Sequence, residues 1–130
     1  MQSDVNFYPG QLVILRSGGP LMTVNSISNH GEVIGCSWFD LNLKPEVCSE
    51  EFYASVLKPH TGQSLKSDGR VVLSEGDVVL LRSGGPSMTV QYVQDNEYKR
   101  EVSCIWFDEK NRKASSSSTL FHPNALVGKF

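Results

Sequence analysis

The sequence has no run of about 18 apolar residues, so we expect no helix that crosses a membrane. Its first ten residues, MQSDVNFYPG, lack the basic start and apolar stretch of a secretory signal. There are only three cysteines, and without a signal this favours reduced thiols and a cytoplasmic protein. No segment shows the regular apolar spacing of an amphipathic helix, which favours an all-β fold.

An excess of positive charge is also absent, because 12 Lys and Arg face 14 Asp and Glu. Residues 1–59 carry three basic and six acidic side chains (−3), residues 60–70 carry +1, and residues 71–130 carry seven of each (0). General nucleic-acid binding needs a dense basic surface that displaces counterions. We therefore expect generic nucleic acid to be a poorer partner than protein. A local basic group remains in the second half, interpreted mainly as a solvated hairpin end: Lys99, Arg100, Lys110, Arg112 and Lys113.

The chain does contain an internal sequence repeat. Residues 12–24 read LVILRSGGPLMTV and residues 78–90 read VVLLRSGGPSMTV, with ten of the thirteen positions identical. Further along, CSWFD at residues 36–40 corresponds to CIWFD at residues 104–108. A repeat that occurs only twice, about 66 residues apart, indicates two copies of a small domain rather than a solenoid.

We divide the chain into a first β-domain (residues 8–59, copy one), a linker (residues 60–70) and a second β-domain (residues 71–130, copy two). Short apolar or alternating segments between turn residues predict about five strands per copy. These include a strand over residues 45–52 and a weak edge strand over residues 114–119. The pattern is typical of a small SH3-like barrel or a strongly bent antiparallel sheet. Since each copy is near the lower size limit for folding alone, we expect the two to pair as a pseudo-dimer.

The S-G-G-P turn is the sharpest motif, and an arginine precedes it in both copies. We predict positive φ for its first glycine and an extended second glycine, because a proline follows. A rigid reversal between strands is the favoured interpretation. The alternative is a loop whose backbone N–H groups bind an anion, although no lysine or helix start follows as in a phosphate loop. Its exact repetition makes these residues candidates for a binding surface: Arg16, Gly18, Gly19, Arg82, Gly84 and Gly85.

Two outward aromatic residues complete the candidate surface. The period of two along the third strand predicts that Trp38 and Trp106 face the core, whereas Phe39 and Phe107 face outward. The outward rings could stack on bases, bind a protein or form the contact between the copies, and we favour the contact between copies.

Catalytic and metal chemistry find no support in the repeated residues. Cys36 and Cys104 are predicted to be buried small apolar groups, since there is no C-x-x-C and the histidines lie in unmatched positions. Asp40 and Asp108 have no repeated acid–base partner nearby, and each is expected to start a turn. We predict no enzyme activity, catalytic residue, cofactor or metal.

The assembled motif, G-D-x-V-x-L-x-S-G-G-P-x-M-T-V followed by C-x-W-F-D and F-x-P-x-x-L, resembles the YodC-like family of small bacterial proteins of unknown function. Copy one departs from it at Gln11 and Ala54. The resemblance implies a small β fold and a bacterial or phage source, and it implies no activity. The matching residues of copy two are Gly76, Asp77, Val79, Leu81, Ser83, Gly84, Gly85, Pro86, Met88, Thr89, Val90, Cys104, Trp106, Phe107, Asp108, Phe121, Pro123 and Leu126.

Several functions remain open from the sequence. The leading hypothesis is a non-enzymatic binding or adaptor module in which the two copies form a composite surface, with a protein as partner. The alternatives are a nucleic-acid-binding accessory protein, by analogy with other small barrels, and a phage-encoded inhibitor of a host bacterial system. The sequence does not name the partner.

Overall fold

The computed structural model describes residues 6–39, 47–60, 73–108, 113–114 and 119–128. Within these residues every regular element is a β-strand or a one-turn 3-10 helix, which confirms the all-β expectation. The same residues include no helix with the length and apolar character needed to span a membrane.

Each copy forms one open antiparallel sheet of five strands with the same strand order. In copy one the order is β4-β3-β2-β1-β5, and in copy two it is β11-β8-β7-β6-β12. The expected barrel is therefore not closed. The strands of copy one are β1 (Leu12–Leu15), β2 (Met22–Ser28), β3 (Val33–Phe39), β4 (Val47–Tyr53) and β5 (Leu57–Pro59). Those of copy two are β6 (Val78–Leu81), β7 (Met88–Asp95), β8 (Arg100–Ile105), β11 (Thr119–Phe121) and β12 (Leu126–Gly128), while β9 (Phe107–Asp108) pairs with β10 (Lys113–Ala114).

The repeated sequence produces repeated local geometry. The register of β2 against β3 shifts between Val24 and Ser26, and that of β7 against β8 shifts between Val90 and Tyr92. Each copy thus has a β-bulge at the same place, which turns the side chain of the extra residue away from its usual direction. A 3-10 turn, Ala54–Val56 or Pro123–Ala125, precedes the last strand of each copy.

Copy one has Gln11 where copy two has Asp77, and both side chains stabilise the same turn. The Asp77 carboxylate accepts a hydrogen bond from the Ser74 N–H (2.8 Å), and the Gln11 side-chain oxygen accepts one from the Tyr8 N–H (3.3 Å). Either side chain supplies the acceptor that this turn requires.

Some predicted elements differ in detail. The strand predicted over residues 45–52 is β4, whose described part begins at Val47 and ends at Tyr53. The predicted edge strand at residues 114–119 is represented by the ends of β10 and β11, and residues 115–118 lie outside the described residues. The second glycine of each S-G-G-P turn also has positive φ, which the argument from the following proline did not predict: the values are 103° for Gly18, 127° for Gly19, 106° for Gly84 and 144° for Gly85.

Each sheet has its own apolar core, and the two cores are unequal. That of copy one is formed by Val13, Met22, Val24, Ile34, Cys36 and Leu57. That of copy two is formed by Leu73, Val79, Leu81, Met88, Val90, Val102, Cys104, Trp106, Phe121, Ala125 and Leu126. Trp106 is thus a core residue, whereas Trp38 is only partly buried against its core.

Candidate functional site

One face of the copy-one sheet is buried although it points away from that copy's own core. The register aligns Leu12 with Thr23 and Thr23 with Ser37, so the three side chains form a row across β1, β2 and β3. They are 9%, 0% and 1% exposed. Phe39 lies two residues beyond Ser37, on the same face. We call these four residues the docking face.

Copy two covers the docking face with its own S-G-G-P turn. The Thr23 hydroxyl donates a hydrogen bond to the Ser83 hydroxyl (2.7 Å) and accepts one from the Ser83 backbone N–H (2.8 Å). The hydroxyl of a single threonine therefore forms hydrogen bonds with both the backbone N–H and the side-chain hydroxyl of Ser83, the first residue of the turn. Thr23 is repeated as Thr89 in the M-T-V segment, and that repetition was the available signal, but the sequence analysis did not select it as a surface residue.

Asn25 extends this contact to the edge of the other sheet. It is the bulge residue of β2, and its amide group reaches the outer edge of β11. Its Oδ1 accepts from the His122 N–H (2.7 Å), and its Nδ2 donates to the Leu120 carbonyl (3.4 Å). An amide side chain has the same donor and acceptor as a peptide group, so Asn25 occupies the edge much as an added strand would.

The apolar part of the contact is the ring of Phe39. It meets Trp106 edge to face, with ring centroids 5.3 Å apart and an interplanar angle of 86°. Phe39 and Val47 both pack against the core of copy two. A Cβ atom at Gly85 would overlap the Phe39 ring, so this turn needs glycine for a close approach as well as for its backbone angle.

The contact is not reciprocal between the copies. The residues of copy two that correspond to the docking face are Val78, Thr89, Ile105 and Phe107, aligned by the same register, and we call them the open face. Val78 is 37% exposed and Phe107 56% exposed, Thr89 is exposed and Ile105 is half-buried. An interface of this kind is heterologous, because two different patches meet.

The eight predicted surface residues are therefore divided between two environments. Phe39, Arg82 and Gly85 lie at or beside the contact between the copies, where the Arg82 Nε donates to the Asn124 carbonyl (2.6 Å). Burial lowers the pKa of Arg82, and Tyr8 opposes that effect. The exposed residues are Arg16, Gly18, Gly19, Gly84 and Phe107.

His122 stands at the edge where Asn25 binds. Its Nδ1 accepts a hydrogen bond from the Asn124 N–H (3.0 Å), which requires that nitrogen to be unprotonated. Burial, with help from the positive charge of Arg100, lowers the pKa of His122, and Asp95 acts in the opposite direction. The neutral imidazole therefore suits this turn.

A shallow depression of about 190 Å³ lies beside the docking face. This volume is below the range of about 300–1,000 Å³ typical of sites for small organic ligands. Its lining is polar and acidic, and the Ser37 and Ser49 hydroxyls within it are already hydrogen-bonded to each other (3.2 Å). The lining residues are Asn25, Ser26, Gly35, Cys36, Ser37, Ser49, Glu50 and Glu51.

The described part of the chain has no group of three or more His, Cys, Asp or Glu side chains arranged to hold a metal ion. In the local basic group, Arg100 is paired with Asp95 (2.8 Å) and Lys99 lies 3.7 Å from Glu101. These carboxylates neutralise two of the five cations. Lys110 and Arg112 lie outside the described residues, as does the side chain of Lys113.

The three free cysteines should differ sharply in reactivity. Burial raises the pKa of Cys36 and of Cys104 to about 12, whereas Cys48 is only half-buried on an edge strand. The thiolate is the reactive form. We expect a chromogenic disulfide reagent at about pH 8 to modify one thiol rapidly, and all three after unfolding in urea.

Cys48→Ser is the control and should remove the rapid modification of one thiol. Rapid modification of two or three thiols in the folded chain would contradict the buried assignment.

Burial of Cys36 and Cys104 also makes the stability of the fold depend on pH. Because the folded pKa values of the two buried thiols lie above the ordinary 9.0, their contribution to stability is complete below pH 9 and is lost as pH rises toward 12.

The fold and the contact define a tandem all-β protein whose copies recognise each other through a turn and a sheet face. The family model described as uncharacterized small protein (DUF2158) matches the chain twice, at residues 9–51 and 74–126. The two matches cover well over half of the sequence, so the chain belongs to this family and carries its domain in duplicate. No curated protein and no solved structure matched the chain.

Proposed function

We propose that this chain is a non-enzymatic protein-binding module and that its binding surface is the open face of copy two. One observation carries the proposal: the equivalent surface of copy one, the docking face, is buried against the S-G-G-P turn of copy two. The open face keeps the threonine and the phenylalanine of that contact, and it replaces Ser37 with the more apolar Ile105. An exposed apolar group with a central hydrogen-bonding residue is typical of a protein interface.

Other features support the finer points of the proposal. The strand order and the 3-10 turn before the last strand support the SH3-like assignment, and the repeated motif supports a YodC-like relationship and a bacterial or phage source. Three unpaired cysteines support a reducing, cytoplasmic location. The paired Lys99 and Arg100 favour a protein over a nucleic acid as partner.

The proposal predicts that Phe107→Ser removes partner binding and leaves the fold intact. Phe107 is 56% exposed, so its replacement should change the melting temperature little. A central aromatic residue of an interface contributes enough that its loss weakens binding about tenfold or more. The measurement is capture of proteins from bacterial lysate by immobilised full-length chain, quantified by mass spectrometry.

Tyr98→Ser is the matched control, because Tyr98 is an aromatic residue 93% exposed in the β7–β8 hairpin, away from the open face. It should capture the same protein as the unaltered chain. Equal capture by the Phe107 variant would exclude the open face as the binding surface. If treatment of the lysate with nuclease abolishes capture, this chain would instead be a nucleic-acid-binding protein.

A further inference from the structure

The contact within the chain consists of two complementary parts, and the chain carries each part twice. One part is the docking face of copy one, repeated as the open face of copy two. The other is the S-G-G-P turn of copy two (residues 83–86), repeated as the turn of copy one (residues 17–20). Among the described residues, the contact between the copies uses the docking face and the turn of copy two, whereas most of the open face and the turn of copy one are exposed.

The unused turn is free to dock. Residues 17–20 are exposed, and apart from the chain neighbours no atom of the described residues lies within 4 Å of a Cβ built on Gly19, whereas the same position in copy two touches Phe39. The two turns share the sequence R-S-G-G-P and have similar backbone angles at both glycines. The turn of copy one therefore has the shape and the groups that the docking face already accepts.

The open face has the matching groups. Thr89 stands where Thr23 stands, so its hydroxyl can accept from the backbone N–H of a docked Ser17 and donate to the Ser17 hydroxyl. Phe107 stands where Phe39 stands, and its counterpart across the contact would be Trp38. Gln91 is the bulge residue that corresponds to Asn25 and supplies the same amide group on a side chain one methylene longer. Its Oε1 accepts a 3.4 Å hydrogen bond from the Ser103 hydroxyl.

The edge that this amide would bind is also present. The Ala54 N–H donates to the Glu32 carbonyl (2.8 Å), and Tyr53 is aligned with Val33. Because hydrogen-bonded pairs alternate along an antiparallel ladder, the Tyr53 N–H and the Glu51 carbonyl point away from β3. They correspond to the His122 N–H and the Leu120 carbonyl that Asn25 binds in copy two.

We propose that the turn at residues 17–20 of a second copy of this chain docks on the open face of copy two, so that chains associate head to tail. The inference rests on the proposed function, since it assigns an occupant to the same face. Each added chain again presents one free turn and one free face. Repetition of a heterologous contact gives a ring where the rotation closes and an open chain where it does not.

Self-association should be weaker than the contact within the chain. The linker holds the two copies at an effective concentration in the millimolar range, and separate chains lack that advantage. We expect the weight-average mass of the full-length chain, measured by sedimentation equilibrium, to rise as its concentration increases from about 10 µM to about 1 mM.

Two variants test the head-to-tail arrangement. Ser17→Arg blocks the turn and Thr89→Arg blocks the open face, and both residues are exposed, so the fold should persist by circular dichroism. Each variant alone should be monomeric over the whole range. An equimolar mixture should form a 1:1 dimer and nothing larger, because one intact turn meets one intact face. Gln94→Arg places the same charge on β7 outside the open face and should associate like the unaltered chain, and Phe107→Ser is a second way to block the face.

The outcomes separate the two proposals. An unaltered chain that stays monomeric to about 1 mM overturns the inference. Association that survives Ser17→Arg also overturns it, because the contact between chains would then not use the turn of copy one. If self-association fails in either way while Phe107→Ser still abolishes capture of another protein, the proposed function stands with a different occupant. Self-association that Phe107→Ser leaves unchanged overturns the inference, and the proposed function is then decided by the capture experiment.

Discussion

Replacement of Trp106 by alanine is expected to lower the free energy of unfolding by about 3–5 kcal/mol, the range for large aromatic residues removed from a core. Trp106 is 7% exposed, belongs to the core of copy two and forms an edge-to-face pair with Phe39. The substitution therefore creates a cavity and removes an aromatic pair that contributes about 0.5–1.5 kcal/mol beyond its buried area. The measurement is urea unfolding followed by circular dichroism.

Trp38→Ala is the matched control at the equivalent position of copy one. Trp38 is only partly buried, so the loss of stability should be clearly smaller. Because Phe39 of copy one packs on Trp106, loss of Trp106 should also lower the unfolding midpoint of copy one. Equal effects of the two substitutions would show that the cores are equivalent and that the contact between the copies contributes nothing.

Replacement of Gly10 by alanine is expected to destabilise the chain much more than replacement of Gly76. The two glycines occupy the same turn of the repeat, with φ of 94° and 90°. Both substitutions should cost about 1–2 kcal/mol, because a side chain resists positive φ. At Gly10 the new Cβ would overlap the backbone carbonyl of Asn124 in the other copy, whereas at Gly76 no atom of the described residues beyond the chain neighbours lies within 4 Å.

The additional cost at Gly10 should be about 1–3 kcal/mol, as for other overpacked positions, because a backbone carbonyl cannot rotate away as a side chain can. The difference between the two melting temperatures measures the contact between the copies, since the backbone strain is common to both. Gly85→Ala against Gly19→Ala provides a second pair, in which Phe39 is the obstructing group. Identical losses in both pairs would mean that the copies do not stabilise each other.

The repeated motif predicted the local structure because it contains the physical determinants of that structure. Alternation in M-T-V and in the segment before Trp38 places Met22, Val24 and Cys36 inward, and all three are buried. Ala54–Val56 forms a 3-10 turn, and Leu57 after it is 2% exposed. These features depend on neighbours in sequence and on side-chain period, so they could be derived without a structure.

The candidate site was predicted only in part. Phe39, Gly85 and Arg82 were selected as repeated residues, whereas Thr23, Asn25 and His122 were not. Asn25 acquires its role from a β-bulge, and the position of a bulge depends on the pairing of two strands rather than on either one. The contact with His122 joins residues 97 positions apart, and the sequence gives no sign of it.

The sequence by itself determined two similar sheets, since equal patterns of apolar residues and glycines form equal strands and turns. Which copy of each motif is buried was decided by the tertiary structure alone. Thr23 and Thr89, or Phe39 and Phe107, are identical in type and in local pattern, yet one of each pair is covered and the other exposed. The physical reason is that a turn-to-face contact joins two different patches. This chain has two turns and two faces and forms one such contact, so one turn and one face remain exposed to solvent.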